Sequence, residues 1–221
     1  ILKDTKMQDN KNDLETFIKL IINVSNDHHR SSNFFSKIEQ ILLHFKDQIL
    51  NNYTNFEIFL LFQKNKRLLL FLLQEEMIFI DKQISNIMKG KDYKNMYYNR
   101  YFQPELKPFI KEDNDYNDEE EEEEEEENIS NKELPDNFEE KRKIGENDSF
   151  ICQLIRNDSI DEFISYVNQH SISVNSIVDN SIYETNYMLL SGESSLIEYS
   201  AFFGSTQIFK YLQLNGAEFY S

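Results

Sequence analysis

Ser195-Leu196-Ile197-Glu198-Tyr199-Ser200-Ala201-Phe202-Phe203-Gly204-Ser205 runs on through Thr206 and Gln207 into Ile208-Phe209-Lys210-Tyr211-Leu212-Gln213-Leu214-Asn215-Gly216-Ala217. This stretch decides the fold. Gly204 supplies the positive φ needed to leave a first helix within a single turn, and Gly216 does the same after a second helix. Small residues at Ser200 and Ala201 let the two helices approach closely, and Ile208, Phe209 and Leu212 are spaced to face a neighbouring element. The reading is helix, tight turn, helix.

Upstream, the same arrangement is written once more. Asp148 and Ser149 are caps for a short helix from Phe150 to Arg156, and Asp158-Ser159 punctuates before a second helix from Ile160 to Gln169. Asp tolerates the left-handed conformation better than most residues after Gly, so Asp158 aligns with Gly204. The alignment then sets Phe163 against Phe209 and Tyr166 against Leu212. A fainter echo falls at Asn65-Lys66, Leu70 and Leu73. The intervening stretch from Ser171 to Glu193 is long and polar, with room for one short turn of helix around Ile182 to Leu190.

The first segment resembles the opening helix of an ankyrin repeat, T-P-L-H-x-A-A-x-x-G-H, and the second resembles I-V-x-x-L-L-x-x-G-A. Leu196 stands where Pro is usual and Glu198 where His is usual, which alters how that turn is capped. With IRNDSIDEFISYVNQ and IYETN upstream, the wording is similar to the divergent ankyrin-repeat proteins expanded in some protozoan genomes, over about residues 140 to 219. The resemblance implies an all-α helical solenoid of degenerate helix pairs, and a non-catalytic scaffold that binds a protein partner. It also places Phe202 and Phe203 at variable positions just before the turn glycine, near the surface where such proteins contact partners. Large aromatics there anchor a partner or, alternatively, pack on the adjacent helices between Phe150 and Gln169. A solenoid needs a polar cap over its last apolar face; none follows Gly216, so a truncated sequence is expected.

Residues 1–110 read as a helical N-terminal region. Phe34, Ile38, Ile41, Phe45 and Ile49 line one helical face, with Ser31, Ser32 and Asn33 as caps. Further helices are expected near Thr54, after Asn65, and from Ile78 to Met88, closing at Gly90. Pro104 and Pro108 are expected to break helix continuity. Residues 111–133 form an acidic linker and 134–221 the repeats. Between Glu112 and Glu127 stand 13 acidic residues and no basic one, so the net charge of −17 is local: 27 acids face 23 bases elsewhere, a net of −4. Such a run cannot drive its own burial and is expected to be a disordered insertion. An alternative function makes it the active part, as an acidic-tract binder of basic proteins.

Other chemistries find little support. No dense basic patch is present to neutralise phosphates, so nucleic acid is not an expected partner. The longest apolar runs, Ile58 to Phe62 and Leu68 to Leu73, are far short of the roughly 20 residues a bilayer span needs. With no secretory leader pattern and a lone cysteine, Cys152, an intracellular and cytoplasmic location is expected. Cys152 reads as a small buried hydrophobe. His28 and His29 are adjacent, so on a helix they diverge by about 100°, and no third metal ligand accompanies them. His44 and His170 read as surface or helix-end residues. No phosphate-cradling loop and no nucleophile elbow occurs. No catalytic residue, metal or cofactor is assigned.

Overall fold

The computed structural model describes residues 11–27, 34–90, 97–110, 134–190 and 192–219. Among these residues the protein is all-helical, with fourteen helices and one isolated antiparallel bridge between Ile177 and Ser195. The acidic run, the caps expected at Ser31, Ser32 and Asn33, and the His28-His29 pair lie outside the described residues. The chain divides into two compact units. One comprises residues 1–94 and 98–133, the other 95–97 and 134–221.

In the first unit, α1 (Lys11–Asp27) buries Leu14, Ile18, Ile21 and Ile22, the spacing of one helical stripe. The face expected on the next segment is present, but the helix bends along it. α2 (Phe34–His44) and α3 (Lys46–Asn52) meet at Phe45, whose N–H is shared between the carbonyls of Ile41 and Leu42. Ile38, Phe45 and Ile49 are buried, while Phe34 and Ile41 are only half-buried. A reciprocal capping box between Thr54 and Glu57 starts α4 (Asn55–Phe62).

Asn65 starts α5 (Lys66–Gln74) as an extended cap at φ −131°, its side chain accepting from the Leu68 N–H at 2.9 Å. It is therefore not the left-handed turn residue that the faint third echo requires. Its amide nitrogen also donates to Ser25 Oγ and Asn26 Oδ1, which ties α5 to the end of α1. Lys66 is 1% exposed, its ammonium 4.9 Å from the Tyr101 ring centre and 5.9 Å from that of Tyr98. The ring quadrupoles help replace the lost hydration of that charge.

Two expectations for this unit are corrected. The helix expected from Ile78 begins only at Lys82, as α6 (Lys82–Lys89), because Asp81 caps it through the Ile84 N–H and residues 77–80 are held in a loop. Pro108 does not interrupt a helix but lies within α8 (Gln103–Ile110), whereas the break expected at Pro104 falls just before it, at Phe102, between α7 (Tyr98–Tyr101) and α8. Pro104 sits in the first turn, where no intrahelical partner awaits an N–H, so Pro108 removes just one bond from the helix.

The second unit opens with α9 (Phe138–Ile144), which ends at left-handed Gly145. Then come α10 (Phe150–Asn157), α11 (Ile160–His170), the short α12 (Tyr187–Leu190), α13 (Leu196–Phe203) and α14 (Thr206–Leu214). α10 packs on α11 and α13 on α14, while the first helices of the two pairs pack together, as do the second helices. One apolar core results, containing Cys152, Ile155, Phe163, Ile197, Ile208 and Leu212, all fully buried. The long polar stretch between the pairs is fastened by buried Glu184, whose carboxylate accepts the backbone N–H groups of Asn147, Thr185 and Asn186.

Candidate functional site: turns and faces of the helix pairs

The turns of the two pairs have the same backbone form. Asp158 has φ 52° and Gly204 φ 60°, and each donates its N–H to carbonyls of the preceding helix. The next residue closes the turn in both: Ser159 N–H reaches Leu154 O at 3.0 Å, and Ser205 N–H reaches Ser200 O at 2.8 Å. Gly216 has φ 82° after α14. After α11 the left-handed residue is Ser171, at φ 52°.

Past the turn, the alignment of the second helices shifts by one residue. α11 buries Phe163 and Val167, half-buries Ile164 and Tyr166, and exposes Ser165. α14 repeats that order with Ile208 and Leu212 buried, Phe209 and Tyr211 half-buried, and Lys210 exposed. Phe163 thus corresponds to Ile208, and Tyr166 to Tyr211, correcting the pairing with Phe209 and Leu212. The cause is one extra residue in the first turn of α11. The closing bonds agree: Ile172 N–H to Val167 O and Ala217 N–H to Leu212 O are both 3.0 Å.

Asp158 does more than turn the chain. Its carboxylate accepts the N–H of Gln207 at 3.1 Å and of Ile208 at 3.0 Å, with Thr206 Oγ1 at 3.4 Å. It therefore caps α14, a helix of the other pair, whose own N-cap Ser205 makes no side-chain cap bond. Ser205 instead donates its hydroxyl to the Ile155 carbonyl. The local sequence around Asp158 carries no sign of this role, because its partners lie about fifty residues on.

Glu198 likewise fills the gap left by the unusual start of α13. Ser195 Oγ accepts the Glu198 N–H, and the Glu198 carboxylate accepts the Ser195 N–H at 2.8 Å. This Ser-Glu capping box satisfies two N-terminal donors. Asp148 and Ser149, by contrast, do not cap α10 as expected. Ser149 makes no side-chain cap bond, and Asp148 instead meets Lys141 Nζ at 2.8 Å and Ser181 Oγ at 2.9 Å. Burial raises the Asp148 pKa, but the hydrogen bonds from Lys141 and Ser181, the Lys141 charge and a backbone hydrogen bond together outweigh it, so the carboxyl lies below its ordinary range.

The structure separates the two candidate partner residues. Phe203 is 4% exposed and belongs to the core, its ring 4.7 Å from that of Tyr199 and 5.9 Å from the Arg156 guanidinium carbon. It is a packing residue, which corrects its candidacy as a surface anchor. Phe202 is half-buried and meets Phe203 edge-on at 5.1 Å, beside exposed Ala201. Arg156 reaches across from α10 to donate to the Tyr199 hydroxyl at 2.8 Å and pairs with Glu146 at 2.9 Å. Cys152 is fully buried, and burial pushes its thiol up to about 11, so it is not a thiolate at neutral pH. Among the described residues no group of three His, Cys, Asp or Glu side chains is placed to hold a metal ion, and no helix is long and apolar enough to cross a membrane.

These features define an all-helical protein whose second unit stacks two helix pairs through matched turns. No family model, curated protein or solved structure matches the chain.

Proposed function

We propose that the protein is a non-catalytic protein-interaction scaffold built on ankyrin-like helix pairs, acting inside the cell on a protein partner and not on nucleic acid. The observation that carries this reading is the contrast on α13: Phe203 is spent on the core, while its neighbour Phe202 keeps part of its ring at the surface. A rigid aromatic beside a small exposed residue offers contact area at little entropic cost.

The test is a pair of alanine variants, each measured for melting and for capture of proteins from the native cell. Phe202→Ala loses capture with its melting point intact; Phe203→Ala loses roughly 3 kcal/mol or more of stability. If Phe202→Ala captures as wild type does, the surface role of α13 is wrong. The acidic run offers a second reading, since it concentrates 13 of the chain's 40 acids in one segment. Excising Glu119 to Glu127 separates the two: capture survives in a scaffold and vanishes in an acidic-tract binder.

A further inference from the structure

The first unit carries an open groove of about 600 Å³, walled by the end of α5, the loop that follows it, and α8. Leu73, Ile78, Pro108 and Phe109 supply its apolar lining, and Phe79 stands 63% exposed at its edge. Among the described residues, the charged ones that line it are Glu76 and Glu105, with no lysine or arginine.

Side-chain hydrogen bonds hold the loop wall in place. Asn55 grips the Phe79 backbone at both hydrogen-bonding groups, its Oδ1 accepting the N–H at 2.9 Å and its amide donating to the carbonyl at 3.0 Å. That amide also reaches Asp81 Oδ2 at 3.1 Å. With both backbone groups held, the direction of the Phe79 Cα–Cβ bond is set, and the side chain stands exposed. Glu76 sits at φ 54°, a conformation glycine takes freely and glutamate does not. It stands with Glu75 at the C-terminal end of α5, where the helix dipole disfavours negative charge. No ion pair to Glu76 forms among the described residues. The Lys46 ammonium meets the Glu75 carbonyl at 2.5 Å and offsets the negative end of the helix there, so what sets Glu76 apart is an acid in a backbone conformation it disfavours, beside an exposed aromatic and an apolar trough.

We propose that this groove docks a basic amphipathic segment of a partner protein, its apolar side chains in the trough against Phe79 and its lysines or arginines facing Glu76. Charge selects that occupant. The sequence that follows α8 is itself acidic from Glu112 onward, and like charges brought together are repelled from the carboxylates that line the groove. A groove of this volume suits a few side chains of a helix, the common mode for such surfaces. The proposal rests on the first unit alone and is independent of the reading of the helix pairs.

The experiment uses the full chain and a fluorescent synthetic helical peptide with leucines on one face and lysines flanking them. A control peptide has every lysine replaced by glutamate. The lysine peptide binds saturably and the glutamate peptide does not. Phe79→Ala weakens binding about tenfold or more with no change in melting, and Glu76→Lys reduces the preference for the lysine peptide. Absence of lysine-peptide binding, or binding indifferent to Phe79→Ala, overturns the proposal. So does binding that is lost only on excision of Glu119 to Glu127, which assigns it to the acidic run. Self-association of the chain that Phe79→Ala abolishes also overturns it, because the occupant is then a second copy.

Discussion

Asp158 carries two opposed contributions that substitution can separate. Its left-handed backbone, φ 52°, is unfavourable for any residue with a side chain, by about 1–2 kcal/mol for an ordinary one and less for Asp. Its carboxylate caps α14 through two backbone N–H groups, at 3.0 and 3.1 Å. Loss of a cap costs about 1 kcal/mol, and loss of the anion at a helix N-terminus a further 0.3–1 kcal/mol or so. Asp158→Ala removes the cap and keeps the backbone strain, so it destabilises by about 2 kcal/mol. Asp158→Gly also removes the cap but relieves about 1 kcal/mol of strain, leaving a net loss near 1 kcal/mol. Asp158→Asn keeps an acceptor oxygen and tolerance of the left-handed region, and loses about 0.5 kcal/mol of charge–dipole interaction. The expected order is wild type, Asn, Gly, Ala. In a domain of under 100 residues each kcal/mol corresponds to about 4–8 °C in Tm. Thermal melts followed by circular dichroism, with urea titrations as a second measure, resolve the series. If glycine matches or exceeds wild type, the carboxylate does not hold α14. If glycine and alanine are equal, the turn is not strained as described.

Three further outcomes follow from the same unit. Gly204→Val puts a β-branched residue at φ 60° and destabilises by about 1–2 kcal/mol; an unchanged melting curve refutes the turn geometry. The Asp148 pKa is lowered in the folded state, so its contribution is fully present above the unfolded aspartate value of about 4 and is lost as pH falls through the folded value. The acid limb of a stability–pH curve is therefore shallower in Asp148→Asn, and an identical limb in both proteins contradicts this. Cys152, fully buried and held as a thiol, reacts with a thiol reagent only after the second unit opens. Labelling of the native protein at the rate of a free thiol counts against that burial.

The helix pairs were legible because their punctuation is local. Asp-Ser and Gly-Ser mark both turns, and Gly216 closes α14, since a left-handed residue restricts which side chain can occupy it. What lay beyond reach was decided by neighbours distant in sequence. Asp158 gives no local sign that its carboxylate will serve α14, nor Asn55 that its amide will clasp Phe79. The extra residue in the first turn of α11 is invisible to an alignment anchored on the turn, because Phe163 and Phe209 match in type while differing in burial. Phe202 and Phe203 are identical in chemistry, and only the position of α10 beside α13 assigns one to the core. The groove on the first unit escaped notice because its lining comes from separate elements, none with a pattern of its own.

The contact between the helix pairs also joins unlike faces. α10 brings Ile155 and Arg156 against Tyr199, Phe203 and Ser205. One step on, counted from turn to turn, Ile155 and Arg156 become Ala201 and Phe202, open to solvent or half so; one step back, Tyr199 and Phe203 become Gln153 and Asn157, both exposed. A contact of this kind repeated between copies has no two-fold axis and cannot close as a dimer. It propagates head to tail, as a ring where the rotation closes and as an open-ended chain where it does not. Gln153 and Asn157, hydrophilic where Tyr199 and Phe203 are aromatic, withhold the matching surface that such growth requires.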